Sequence, residues 1–184
     1  RAGSARAWWV RTAAGLNDVR ILDGGLPAWI AAGGELQSGP VSLSAGDVGI
    51  LHDDLYAGGR AVLTADAVSH GAAATLLDAR APERFRGEVE PVDSVAGHIP
   101  GARNLPSMSV VGPDGRFLPR DRIAALVEQI GAGPSVGVYC GSGVTASVVL
   151  AALNIVGVDG TLFPGSWSQW SAEGRPVEQG PGQA

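Results

Sequence analysis

The feature that most constrains this sequence is an apolar strand that runs straight into a glycine-flanked cysteine and leaves as a helix. Ser135-Val136-Gly137-Val138-Tyr139 is a short, β-branched run, Cys140-Gly141-Ser142-Gly143-Val144-Thr145 interrupts it, and residues 144–156 have the apolar density of a buried helix. The two glycines let the backbone curl so that successive N–H groups face inward and form an anion nest. A thiolate at its centre is stabilised by those donors and by the positive end of the helix. Such a sulfur can attack a sulfane sulfur and hold the persulfide that results. Cys140 is therefore the candidate nucleophile. Gly141, Gly143 and Val144 supply the loop backbone, and Ser142 and Thr145 are candidate hydroxyl donors. A lone cysteine is more commonly a buried structural thiol; the strand-loop-helix setting tips the balance toward chemistry.

Around this segment, strands alternate with helices. Thr64 is placed to cap a helix through residue 73, and Thr75-Leu76-Leu77-Asp78-Ala79 reads as a buried strand. A polar loop over 80–97 and a short strand at 102–105 follow, with an amphipathic helix over 121–130. Alternation of this kind predicts a three-layer α/β/α fold with a mostly parallel central sheet, in which ligands sit at the carboxyl ends of strands. Cys140 and Asp78 both fall at such ends.

Composition excludes several classes. At 184 residues, 45% hydrophobic and 17% charged, the chain has the balance of a globular protein. Its net charge of −5 and lack of clustered Lys and Arg argue against nucleic acid as a partner. The most apolar stretch, 148–158, is too short to span a bilayer and is broken by Asn154 and Gly157, so no membrane partner is expected. One cysteine forbids an internal disulfide and a Cys-rich metal site, which makes the cytoplasm the default location. With His52, His70 and His98 scattered, no metal is expected. Arg1-Ala2-Gly3-Ser4-Ala5-Arg6 has neither an initiator Met nor an apolar signal core, and is expected to lie inside a longer protein.

An internal similarity points the same way. Asp23-Gly24-Gly25-Leu26-Pro27-Ala28-Trp29 and Pro164-Gly165-Ser166-Trp167-Ser168-Gln169-Trp170 share a strand end, a glycine turn and an aromatic helix. The same offset lays Gly33 on Gly174, residues 19–22 on the strand-like 160–163, and the helix-like 5–14 on 146–155. This reads as duplication, with the first copy starting roughly 80 residues before Arg1; two βα units of independent origin are the alternative. Residues 35–59, rich in Gly, Ser and Asp without sustained periodicity, read as a linker.

Leu77-Asp78-Ala79-Arg80, Gly97-His98-Ile99-Pro100-Gly101-Ala102, the Cys140 loop and Gly165-Ser166-Trp167-Ser168-Gln169-Trp170 fall in the order found in the rhodanese family, which the chain resembles over nearly its whole length. The resemblance implies residues 1–34 as the end of a non-catalytic first domain, 35–60 as linker, 61–178 as the catalytic domain and 179–184 as a tail. It also implies packing against that first domain. It implies a sulfurtransferase without a cofactor, passing sulfane sulfur from 3-mercaptopyruvate or thiosulfate through a Cys140 persulfide to a thiol or cyanide acceptor. Arg84 matches the family's substrate-binding arginine, Arg86 is a second candidate, and Asp78 matches an acid that braces the loop. Cys-Gly-Ser-Gly-Val-Thr resembles the mercaptopyruvate-using members. A single carboxylate needs fewer loop cations than dianionic thiosulfate, which agrees with that direction. Val92 departs from the pattern, standing where related enzymes often offer a second arginine, and Pro164 replaces the usual Asp.

Other readings carry less. His98 is expected to fix a turn by hydrogen bonds rather than move protons, and the five tryptophans are expected in packing. A cysteine phosphatase needs a guanidinium six residues after its nucleophile, where Ala146 stands. A non-catalytic rhodanese-like binding or regulatory module is the competing class, and retention of Cys140 disfavours it.

Overall fold

Three short apolar runs become strands because each alternates its side chains between two covered faces, and the polar pair Arg103-Asn104 adds a fourth at the sheet edge. The computed structural model describes residues 2–182; of the segments read from sequence, Arg1 and the last two residues of the 179–184 tail lie outside the described residues. The strands are β1 (Thr75–Asp78), β2 (Arg103–Asn104), β3 (Val136–Tyr139) and β4 (Gly160–Leu162), all parallel in the order β2-β1-β3-β4. Asp78 pairs in register with Tyr139, so β1 and β3 end level. From β1 the sheet is extended to one side by β2 and to the other by β3. The crevice beyond the β1 and β3 ends is therefore a topological switch point, where open α/β sheets hold ligands.

Helices cover both faces. Leu77, Val136, Val138 and Leu162 point into one core with α1 (Ala2–Ala13), α5 (Arg120–Gln129) and α6 (Ala146–Ile155). Leu76, Tyr139 and Phe163 point into the other. That second core holds α3 (Ala65–Ser69), Phe85 of α4 (Pro82–Phe85), and Trp167 and Trp170 of α7 (Ser166–Ala172). This is the expected three-layer α/β/α arrangement with a parallel sheet. Helix α6 is buried along nearly its whole length, so its apolar composition reports burial by α1, α5 and the sheet rather than a membrane. Among the described residues no helix is long and apolar enough to cross one.

Most boundaries follow the sequence pattern; three depart from it. Thr64 caps α3 as expected, its Oγ1 accepting from Ala67 N at 3.1 Å, but the helix ends at Ser69 rather than 73. Gly71 sits at φ +68°, a left-handed stop. The polar loop after Asp78 contains the one-turn α4, started by Pro82 at the first helical position, where its fixed φ fits and no N–H is missed. Residues 19–22, expected to resemble a strand, form none, because no neighbouring strand among the described residues accepts their backbone hydrogen bonds. α2 (Gly25–Ala31) follows them. Residues 35–59 form no helix or strand. The N-terminal helix α1 is not a loose appendage: Ala5, Trp8, Trp9 and Ala13 share the core of β1, β3 and α6.

Candidate active site

Cys140 directly follows β3 and is itself 1% exposed, packed with Ala146 and the α6 face of the core. The loop it opens is pinned from one side by the Gly165-Ser166-Trp167 turn. Cys140 N donates to Ser166 Oγ at 3.1 Å, and Ser166 Oγ donates to Phe163 O at 2.9 Å. Trp167 N donates to Cys140 O at 3.0 Å and Ser168 N to Gly141 O at 2.9 Å. Ser166 reaches this position at φ +53°, the only described non-glycine residue with positive φ. Such a conformation costs an L-residue about 1–2 kcal/mol, here offset by two buried hydrogen bonds. Gly143 has φ +73°, and a Cβ there would lie 2.6 Å from Pro164 O, so the loop can pass the Pro164 turn only as glycine.

Past Cys140 the loop keeps its donors free. Among the described residues, no hydrogen bond within the chain takes the backbone N–H of Gly141, Ser142, Gly143, Val144 or Thr145. Consecutive N–H donors not claimed by the chain, in a glycine-flanked loop between a strand end and a helix start and beside a cysteine, form a place where an anion can be held. Ser142 and Val144 are exposed and Thr145 is half-buried, making no side-chain cap to α6.

The arginines read from sequence separate. Arg84 reaches the loop: a Cβ at Gly141 would stand 3.6 Å from its Nη1 and 3.7 Å from its Nη2. Arg86 does not; it pairs with Glu88 on the surface at 2.7 Å, and the proximity of Glu88 strengthens its hold on its proton. Val92 is exposed, and only its backbone N–H joins the arginine loop, donating to Glu90 Oε1 at 3.1 Å.

Asp78 is fully buried and, among the described residues, makes no hydrogen bond to residues 140–145; its carboxylate pairs with Arg80. Its carboxylate takes Arg80 Nε at 3.1 and 3.0 Å and Nη2 at 2.6 Å. The Arg80 guanidinium lies 4.6 Å from the Trp167 ring centroid, and Trp167 N holds Cys140 O. Burial weakens Arg80's hold on its proton, but the hydrogen bond and charge of Asp78 outweigh it and hold its pKa above the usual value. Removing either partner would leave the other buried and uncompensated, at about 3–5 kcal/mol. The same cluster raises Tyr139 well above the ordinary phenol range, first through burial and then through the Asp78 charge. Tyr139 therefore stays neutral, accepting from Ile99 N at 3.1 Å. His98 plays the part expected of it: buried, stacked 3.8 Å from the Phe85 ring, it donates through Nδ1 to Phe85 O at 2.8 Å.

Four residues of this neighbourhood have no role assigned from sequence, Arg80 and Ser166 standing in the family motifs and Glu90 and Asp93 outside them. Glu90 was hidden in a loop without periodicity. Its Oε2 accepts from Arg80 Nη1 and Arg84 Nε, both at 3.2 Å, and its Oε1 from Arg84 Nη2 at 2.5 Å. Burial pushes Glu90 upward, but hydrogen bonds from Arg84 and from Val92 and Asp93 N prevail and hold it below the usual carboxylate range. A signal existed for Ser166: it is the non-glycine residue at the position Gly25 occupies in the first copy of the pattern.

Comparison with known proteins agrees with this architecture. The family model for the rhodanese-like domain matches residues 63–173. The Mycobacterium tuberculosis protein named "Putative thiosulfate sulfurtransferase SseB" is 62% identical over 98% of this chain and 64% of its own length. The 3-mercaptopyruvate sulfurtransferase of Escherichia coli K12 is 38% identical over 94% of this chain and 63% of its own. The chain thus spans about 64% of the length of the first of these relatives. Among solved structures, YnjE superposes with a TM-score of 0.83 at 26% identity, covering 100% of this chain and 47% of that one. The anaerobic ergothioneine biosynthesis enzyme from Chlorobium limicola, at 23% identity and TM-score 0.86, covers 98% of this chain and 46% of its own and shares the fold. With the domain match covering β1 through α7 and a relative identical at 62% of positions, the protein is a member of the rhodanese family.

Proposed function

We propose that this protein is a sulfurtransferase that carries sulfane sulfur on Cys140. The observation that carries the reading is the run of unclaimed backbone N–H groups from Gly141 to Thr145 beside a lone cysteine at the sheet's switch point. Both sulfurtransferase-named relatives support it. In the first half-reaction the Cys140 thiolate attacks the transferable sulfur of the donor, forming an S–S bond. With thiosulfate the donor's S–S bond breaks and its electron pair leaves on sulfite. With 3-mercaptopyruvate the C–S bond breaks, and the pair leaves on carbon as an enolate that takes a proton to become pyruvate. The terminal sulfur carries the negative charge, which the loop N–H groups stabilise. A thiolate or cyanide then attacks that sulfur and returns the electron pair to Cys140. Arg84 binds the donor's anionic group, Ser142 and Thr145 offer hydroxyl donors, and Asp78 braces the loop through Arg80 and Trp167. The cation-poor Gly141-Ser142 pair favours 3-mercaptopyruvate over thiosulfate.

The burial of Cys140 suits a persulfide sheltered from water and oxidants, and it equally suits an inert structural thiol. Intact mass separates the two: incubation with either donor adds one sulfur to Cys140, and cyanide then removes it as thiocyanate. An unmodified mass with a reduced cysteine would sink the sulfurtransferase reading. Arg84→Ala raises KM for the anionic donor about tenfold with a smaller change in kcat; an unchanged KM would refute its role.

A further inference from the structure

Arg84 does not face the cysteine loop as a free cation. One edge of its guanidinium, Nε and Nη2, is spent on the two oxygens of Glu90, leaving the Nη1/Nη2 edge beside Gly141. Glu90 is itself held rigidly. Its side chain is 3% exposed and accepts five hydrogen bonds, from Arg80, twice from Arg84, and from the N–H groups of Val92 and Asp93. Asp93 adds a second carboxylate. Its Oδ2 lies 3.9 Å from Arg84 Nη2, is buried, and has no hydrogen-bond partner among the described residues.

Two guanidiniums, Arg80 and Arg84, thus face three carboxylates, Asp78, Glu90 and Asp93. The free edge of Arg84 still presents two parallel N–H groups, the shape that matches a planar carboxylate. Its charge, however, is already answered. A donor bearing a single carboxylate gains the two hydrogen bonds at modest electrostatic cost, whereas a dianion brings a second negative charge toward Glu90 and Asp93 across a partly buried, low-dielectric gap.

Resting on the sulfurtransferase reading above, we propose that Glu90 is a positioning and specificity residue. It aims the Nη1/Nη2 edge of Arg84 at the cysteine loop and, with Asp93, selects monoanionic 2-oxo-acid thiols over dianionic donors. The selection acts on donor binding, so its mark lies in KM and in the ratio of donors rather than in the chemistry at sulfur.

The test measures kcat/KM for persulfide formation in the full chain with thiosulfate and with 3-mercaptopyruvate, for the wild type and three variants. Glu90→Gln keeps the shape and removes the charge; the thiosulfate-to-mercaptopyruvate ratio rises about tenfold, chiefly through KM for thiosulfate. Asp93→Asn, which leaves the Glu90 hydrogen bonds to both arginines in place, raises the ratio about threefold. Glu128→Gln, an equal charge change on the exposed side of α5, leaves it unchanged. Should Glu90→Gln fail to fold, Asp93→Asn decides: a ratio unchanged or lowered in that variant overturns the proposal. If the wild type forms a persulfide and the ratios do not move, only the selectivity assignment falls. If the wild type forms none with either donor, the sulfurtransferase reading falls and takes this one with it.

Discussion

Two turns of this molecule share one design and end in different surroundings. Gly24-Gly25-Leu26 and Gly165-Ser166-Trp167 both enter a seven-residue helix through a left-handed residue, Gly25 at φ +61° and Ser166 at φ +53°. Both helices end before a left-handed glycine, Gly33 at +80° and Gly174 at +64°. Each also carries a tryptophan whose indole N–H donates to a carbonyl six residues on, Trp29 to Glu35 O at 3.0 Å and Trp170 to Pro176 O at 2.8 Å. Yet within residues 2–182 Trp29 is 45% exposed and Trp170 only 2%. Leu26, with Ile30, is likewise exposed, while Trp167 at the matching place is buried between Arg80 and the second core. The backbone design is local; the stability and the chemistry come from what covers it. Where glycine occupies the left-handed position, the backbone is unstrained and no side chain at that position ties the turn to another segment. Where serine occupies it, strain is accepted and the hydroxyl ties the cysteine loop to β4.

The comparison can be broken at three levels. The largest effect is at the tryptophans: Trp170→Ala destabilises by about 3–5 kcal/mol through lost burial and a residual cavity, while Trp29→Ala costs less than about 1 kcal/mol. Urea titrations of both variants measure the difference, and equal losses would show that the first turn is as firmly packed as the second. Next come the left-handed residues. Ser166→Ala leaves Cys140 N without its acceptor and costs about 2–3 kcal/mol, and it slows persulfide formation about tenfold by loosening the loop. Gly25→Ala, where an added Cβ meets only Pro27 Cδ at 4.0 Å, costs about 1 kcal/mol of backbone strain and leaves the persulfide rate unchanged. A persulfide rate as fast in Ser166→Ala as in Gly25→Ala would remove the special role of the second turn. The smallest effect separates strain from hydrogen bonding: Ser166→Gly is more stable than Ser166→Ala by about 1 kcal/mol, and so melts higher, because glycine relieves the left-handed backbone although both lose the hydroxyl. The reverse order of melting would mean that Ser166 carries no strain.

Much of the fold was legible because it rests on short-range periodicity. Residues 75–79 and 135–139 alternate side chains between two cores, and both became strands within one residue of the expected limits. Thr64 was legible as a cap because the bond it makes spans three residues. The end of α3 was not, since Gly71 competes with an apolar pattern that continues to Ala73. Of the site, the Cys140 loop was legible from its strand-loop-helix setting and Arg84 from the family resemblance, and the structure sets the Arg84 guanidinium beside Gly141. Arg86 was read the same way and lies elsewhere, paired with Glu88: two arginines two residues apart on a one-turn helix and its cap point in different directions.

The strand-loop-helix at Cys140, the parallel α/β class and the paired glycine turns follow from the order of residues alone, because each depends on contacts a few positions apart. That Glu90 binds two arginines, that Arg80 lies against Trp167, and that Ser166 holds Cys140 N across 26 positions of chain were decided by the tertiary structure. Those contacts link loops and strand ends that carry no periodicity of their own. Their partners are chosen only when the sheet sets β1, β3 and β4 side by side and brings their ends level.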